Sequence, residues 1–298
     1  MEMGLVITVF PAQLQTGWMH GGKINGLMRV EGAHDSTSKD LESFAAESDL
    51  KQIEIGHQCG QDGQMGHVIG MPAQSDPSQM DSECYPALIV PAIGTWPRFD
   101  SPLRLGVMAS GTGTNFEALH NAIACGDLDA QINVLVVNKA GCGARDRAER
   151  LGIHCELRDH RLFASREEMD HDLVRTFQNE GVEAVVMAGW MRIVTPVLID
   201  AFPGRLLNIH PSLLPSFKGM DAIGQCLSSG VTVTGCTVHE VLNDVDAGPI
   251  VAQAAVPILS DDTRERLSRR IQVQEHRLLP WATALAGQRW RTAAATQG

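Results

Sequence analysis

Residues 103–124 read LRLGVMASGTGTNFEALHNAIA, and this stretch decides the fold. Leu103 to Ala109 reads as a strand, Asn115 to Ala124 as the helix after it, and Ser110 to Asn115 as the tight turn between them. Working outward, Ile132 to Val137 is a continuous apolar run, as expected of a strand buried on both faces of a parallel sheet. Cys142 to Leu151 reads as helix, with Gly152 as its stop. Met169, Leu173 and Phe177 recur at helical spacing and form one face of a further helix, which Gly181 ends. Ala184 to Ala188 and Leu206 to Ile209 are two more short strands, and Thr195-Pro196 opens a short helix between them. Val231 to His239 and Ile250 to Ile258 read as longer strands. A last amphipathic helix starts near Asp262, turns Leu267, Ile271 and Leu278 inward, and has Pro280 near its end. The alternation of strand and helix predicts an α/β fold with a doubly wound, mostly parallel sheet.

The chain before this region differs in character. Residues 1–100 are short polar and glycine-rich pieces in which no hydrophobic period persists, with 12 acidic and 5 basic residues before Asp100. They are expected to be a disordered extension, or translated sequence ahead of a later start such as Met71 or Met80. A small regulatory or partner-binding segment is the other reading. The expected division is therefore 1–100 extension, 101–290 catalytic domain and 291–298 tail.

Bulk chemistry excludes several classes. Against 24 basic residues stand 35 acidic ones, a net charge of −11, which disfavours a broad nucleic-acid or anionic-membrane surface. No apolar run approaches the ~18 residues of a membrane span. Seven cysteines without a C-x-x-C pair suit a reduced cytoplasmic protein better than a disulfide framework or a zinc site.

Three segments carry possible chemistry. In Ser110-Gly111-Thr112-Gly113-Thr114-Asn115, two glycines admit a ligand close to the backbone and the helix start offers N–H groups to an anion. Phe116 stands where a dinucleotide site would have its third glycine, and Gly-Lys-Ser/Thr is missing, so a monophosphate fits best. Any tight strand-to-helix turn also favours these residue types. In Asn208-Ile209-His210-Pro211-Ser212-Leu213-Leu214-Pro215, Asn208 and His210 face one way on an extended chain and suit a developing oxyanion. A buried histidine in a purely structural role is the competing reading. Asn243 to Pro249 is an acid-rich loop whose Asp246 could lie beside His210 and raise its pKa, or could simply be a turn residue. No G-x-S-x-G elbow or metal-ligand spacing is found. His120, His154, His160 and His171 read as structural, and His239 as a possible support for the site.

Taken together, these segments resemble the folate-dependent formyltransferase family over about residues 103 to 285, and most closely its purine-synthesis branch. The resemblance rests on residues 110–115, Ala-Gly-Trp-Met-Arg-Ile-Val (188–194), 208–215, Asp-Ala-Gly-Pro-Ile (246–250) and Gln-Val-Gln-Glu-His (272–276). It implies the formyltransferase fold and transfer of the formyl group of 10-formyltetrahydrofolate to the amine of glycinamide ribonucleotide, in a monomeric or homodimeric cytoplasmic enzyme without a metal. By position, Gly113, Thr114 and Asn115 would hold the substrate phosphate. Arg166, Met191, Arg192, Ile193, Val194 and Asn208 would line the folate pocket, and Glu275 would touch the ribonucleotide. Asn208 and His210 would stabilise and protonate the tetrahedral intermediate, with Asp246 raising the His210 pKa and helping to move the proton.

The departures are small. Thr114 replaces a usual serine, residues 221–225 lack a histidine common in relatives, and the long N-terminal extension lies outside the minimal domain. Methionyl-tRNA formyltransferases carry a further C-terminal domain, for which too little chain remains. The alternatives kept are a formyltetrahydrofolate deformylase, which lacks the glycine turn and reads His-His-Ser-Phe-Leu-Pro at the histidine motif, and a non-catalytic binding relative.

Overall fold

The computed structural model describes residues 87–297 and, ahead of them, strands β1 (Leu27–Met28), β2 (Glu54–Cys59) and β3 (Met65–Gly70). The chain divides into two units, Met1–Met80 and Asp81–Gly298. In the first, β2 and β3 pair antiparallel from Glu54↔Gly70 to Cys59↔Met65, and β1 adds to β3. Sequence periodicity did not reveal these strands, because β1 is two residues long and the six-residue β2 and β3 interrupt their apolar residues with glycine and polar ones. The rest of the expected extension before residue 87 lies outside the described residues.

The second unit is built on an eight-stranded sheet of order β4-β11-β10-β9-β8-β5-β6-β7. The strands are β4 (Leu88–Val90), β5 (Leu103–Ala109), β6 (Ala130–Val137), β7 (Cys155–Leu157), β8 (Ala184–Met187), β9 (Leu206–His210), β10 (Val233–Glu240) and β11 (Ile250–Pro257). From β9 to β7 all pairings are parallel, whereas β10, β11 and β4 continue the sheet antiparallel. The helices are α1 (Thr114–Ala124), α2 (Gly143–Leu151), α3 (Arg166–Asn179), α4 (Pro196–Ala201), α5 (Ala222–Ser229) and α6 (Arg264–Gln297). The chain leaves β5 toward β6 on one side and returns to β8 on the other. A crevice therefore opens at the carboxyl ends of β5 and β8, where open α/β sheets bind ligands.

Both faces of the sheet are covered. On one, Leu105, Val107 and Ala109 of β5 pack with Phe116 and Leu119 of α1, Ala144 and Ala148 of α2, and Leu267, Ile271 and Leu278 of α6. On the other, Met108, Val134 and Val136 meet Met169, Leu173 and Phe177 of α3 and Leu198 of α4. Each fully buried Leu or Phe contributes ~1.5–3 kcal/mol.

Four features differ from the sequence expectation. Strand β4 joins the main sheet ahead of the boundary at residue 101; at three residues it is too short to show a period. Strand β7 is equally short, and α5 was missed because its Ala-Ile-Gly-Gln-Cys-Leu-Ser-Ser run is poor in strong helix formers. Its caps were the available signal, since the Asp221 side chain accepts from Gly224 N–H and Gly230 closes the helix. Pro280 lies inside α6 rather than near its end, and the helix runs on through the expected tail to Gln297. The extra length is anchored by Trp290 Nε1–H on the Gly204 carbonyl (2.7 Å) and by Arg291 on Glu183 (2.8 and 3.0 Å).

Candidate active site

One row of residues crosses four strands at the carboxyl end of the parallel region: Met108 lies opposite Met187, Met187 opposite Asn208, and Asn208 opposite His239. The three segments singled out from sequence converge just beyond this row.

The glycine turn leaves β5 at Ser110. Ser110 N–H donates to the Gly189 carbonyl (3.1 Å), and Met191 N–H donates to Ser110 Oγ (3.0 Å), so the turn and the run 189–194 are tied together. Gly113 caps α1 with φ 78°, and a Cβ there would lie 2.5 Å from Ala144 Cα. Only glycine meets both conditions. The first N–H groups of α1 have no intrahelical partner. Thr114 Oγ1 accepts from Gln272 Nε2 (3.0 Å), and Asn115 Nδ2 donates to Glu275 Oε2 (2.8 Å), which joins the turn to the 272–276 motif on α6. Burial pushes the Glu275 carboxyl up, against the smaller pull of the Asn115 hydrogen bond.

The run 191–194 forms an adjacent wall. Met191 and Ile193 are 74% and 56% exposed, an apolar surface beside a polar site, while Val194 is buried. Asp170 Oδ2 accepts from Thr195 N–H (2.5 Å) and anchors the end of this run to α3. Arg166, the first residue of that helix, is exposed.

At the end of β9, Leu207 and Ile209 point into the core beneath α6, whereas Asn208 and His210 point the other way, as their spacing predicts. His210 is buried. Its Nε2 lies 2.9 Å from the Phe217 carbonyl, which can only accept, so this nitrogen carries a proton. Its Nδ1 lies 3.3 Å from Asp246 Oδ2. Phe217 and Asp246 themselves sit at φ 57° and 50°, strained values for non-glycine residues and characteristic of functional sites.

Asp246 reaches His210 across the β10–β11 connection. The neck of that connection is closed by Glu240 N–H on the Pro249 carbonyl (2.9 Å), with Gly248 so tight against the Glu240 carbonyl that a Cβ would lie 1.8 Å from it. Burial works to raise the Asp246 carboxyl. The His239 hydrogen bond, the Gly219 N–H (2.8 Å) and the charges of His210 and His239 outweigh it and hold the group below the usual carboxylate range.

His239, ambiguous in the sequence, lies between the other members. Its Nδ1–H donates to the Glu240 carbonyl (2.8 Å), and its Nε2 lies 3.1 Å from Asn208 Nδ2. The same Nε2 is 3.6 Å from Asp246 Oδ1. Cross-strand pairing, not sequence spacing, creates this contact. The Phe217 carbonyl was likewise missed, because a backbone acceptor has no sequence signature. Of the histidines read as structural, His154 in fact lies between Glu156 (3.1 Å) and Glu180 (3.3 Å), away from the site.

An amide donor, an imidazole and a carboxylate at one strand end can stabilise an oxyanion and relay a proton. A family profile described as formyl transferase matches residues 103–283. The chain belongs to the formyl transferase family. This formyl transferase is 44% identical over 182 residues to the human trifunctional purine biosynthetic protein adenosine-3, covering 61% of the present chain and 18% of that protein. The Gallus gallus protein of the same name is 46% identical over 183 residues, with the same coverage. The chain thus spans only about 18% of the length of these curated relatives. Among solved structures, it is similar to glycinamide ribonucleotide transformylase 1 from Symbiobacterium toebii, with 41% identity and a TM-score of 0.63 over 66% of this chain and 94% of that one. Phosphoribosylglycinamide formyltransferase from Bacillus halodurans gives 39% identity and a TM-score of 0.60 over 62% and 94%. Among the described residues no helix is long and apolar enough to cross a membrane.

Proposed function

We propose that this formyl transferase moves the formyl group of 10-formyltetrahydrofolate to the amine of glycinamide ribonucleotide, giving formylglycinamide ribonucleotide and tetrahydrofolate in purine synthesis. The observation that carries the reading is the His210 ring, held between Asp246 and the Phe217 carbonyl, next to Asn208 and on the same sheet edge as the glycine turn. The names of the similar structures support the same substrate.

In this reading the phosphate lies against the N–H groups of Gly113, Thr114 and Asn115, with Glu275 near the ribonucleotide. The folate lies against Arg166, the run Met191, Arg192, Ile193 and Val194, and Asn208, and it would cover the exposed Met191 and Ile193 side chains. The substrate amine attacks the formyl carbon. Asn208 Nδ2–H and the His210 Nε2 proton stabilise the oxyanion, the substrate oxygen displacing Phe217 as acceptor. As the intermediate collapses, the bond from the formyl carbon to N10 breaks and the new amide remains. The proton lost by the attacking nitrogen passes to N10, and Asp246 keeps the imidazole charged and oriented meanwhile. No covalent enzyme intermediate and no metal enter these steps.

The test is to follow tetrahydrofolate formation from 10-formyltetrahydrofolate with and without glycinamide ribonucleotide. Product that depends on the ribonucleotide is the expected outcome. Equal product without it would make the protein a hydrolase and overturn the role given to Gly113–Asn115.

A further inference from the structure

Helix α2 takes no part in the chemistry above, yet it braces the glycine turn from behind. Ala144 N–H donates to the Gly111 carbonyl (3.1 Å), and Arg147 Nε–H donates to the Thr112 carbonyl (2.8 Å). The Arg147 guanidinium also pairs with Glu117 in the first turn of α1, and Arg150 pairs with the other Glu117 oxygen. Arg147 and Glu117 are each about three-quarters buried, with side chains 26% and 25% exposed, so water screens this pair only in part.

These contacts act on the groups that would oppose an anion. A carbonyl oxygen beside a phosphate presents the negative end of its dipole, and a carboxylate one turn into the helix cancels the favourable field at its N-terminus. Helix α2 draws two carbonyls of the turn to itself and supplies the two cations, Arg147 and Arg150, that balance Glu117. What remains directed at the ligand is the set of N–H groups.

We propose that Arg147 is a positioning residue for the phosphate of the ribonucleotide. It holds the Thr112 carbonyl away from the anion and, together with Arg150, balances Glu117, without touching the substrate. The inference rests on the phosphate role given to the turn.

The experiment compares wild type, Arg147→Met and Arg147→Lys on glycinamide ribonucleotide and on glycinamide riboside, which lacks the phosphate. Saturating 10-formyltetrahydrofolate is used, and melting temperatures are recorded. The Met variant should lose about tenfold in kcat/KM for the ribonucleotide through KM, the worth of one charge-assisted hydrogen bond. Its kcat, its KM for the folate and its kcat/KM for the riboside should stay at the wild-type values. Inhibition by inorganic phosphate should weaken in the same proportion. The Lys variant, which keeps the charge but cannot hold both partners with a planar fork, should recover part of the loss. An equal loss on both substrates would mean that Arg147 only stabilises the fold, and an undiminished preference for the ribonucleotide would overturn the inference outright. A wild type that does not distinguish the two substrates would overturn the phosphate reading itself, a failure visible before any variant is compared.

Discussion

The glycine turn and the imidazole–carboxylate cluster lie at the same end of one sheet but are assembled in opposite ways. Everything the turn offers a ligand comes from consecutive residues, 110–115, and from backbone N–H groups. The cluster gathers Asn208 and His210 from β9, His239 from β10, Asp246 from the connection after it and the Phe217 carbonyl from a loop. The turn belongs to the parallel region, where a strand feeds directly into a helix. The cluster depends on the antiparallel addition of β10 to β9, which sets His239 opposite Asn208. In the proposed function, binding rests on local backbone geometry and proton chemistry on long-range pairing, so damage to the two should separate kinetically.

The largest expected effect is in the cluster. Replacing His210 by Gln should lower kcat by about 10²–10⁴-fold while leaving the KM for glycinamide ribonucleotide near wild type. Steady-state kinetics with both substrates varied checks this, and a KM that rises as steeply as kcat falls would erase the separation. Next, Asn208→Ala should lose about 10²–10³ in turnover, as expected for an oxyanion donor. Wild-type turnover in that variant would remove Asn208 from the mechanism.

In the turn, Gly113→Ala combines a left-handed φ with a Cβ 2.5 Å from Ala144 Cα. It should cost ~1–3 kcal/mol in denaturant unfolding and raise the ribonucleotide KM about tenfold, with a smaller change in kcat. A kcat loss exceeding the KM change would show that the turn reaches into the chemistry.

The smallest effect concerns pH. The folded Asp246 carboxyl is held below its ordinary value, so its contribution to stability is complete above the unfolded pKa of ~4 and is lost as pH falls through the folded value. Asp246→Asn should therefore be less stable than wild type by ~1–2 kcal/mol at pH 6. The gap should narrow steadily below about pH 4, in urea titrations from pH 6 to 3. A gap that widens toward low pH would mean that Asp246 is not held as a carboxylate by its histidine neighbours.

The same contrast explains what could be read in advance. Strand β5 came from the sequence with its bounds intact, and α1, β6, α2 and β8 to within one or two residues, because apolar runs and helical spacing are local signals. Strands β4 and β7, three residues each, depend on partners to exist at all. Pro280 was placed near a helix end because a proline removes one ladder hydrogen bond. The helix continues because Leu278, Leu279, Ala282 and Ala286 on either side of it are buried in the core.

The sequence by itself determined the alternating α/β order, the glycine turn after β5 and the rigid presentation of Asn208 and His210 on one face of a strand. Each follows from steric or periodic rules that act within a few residues. Only the tertiary structure decided that Asp246 meets His210, that His239 bridges Asn208 and Asp246, and that Arg147 turns the Thr112 carbonyl aside. Asn208 to His239, Arg147 to Thr112 and His210 to Asp246 span 31, 35 and 36 positions, and even His239 and Asp246, near in sequence, meet only because the connection after β10 folds back over the strand end. Strand pairing and helix packing set such distances, and no local pattern encodes them.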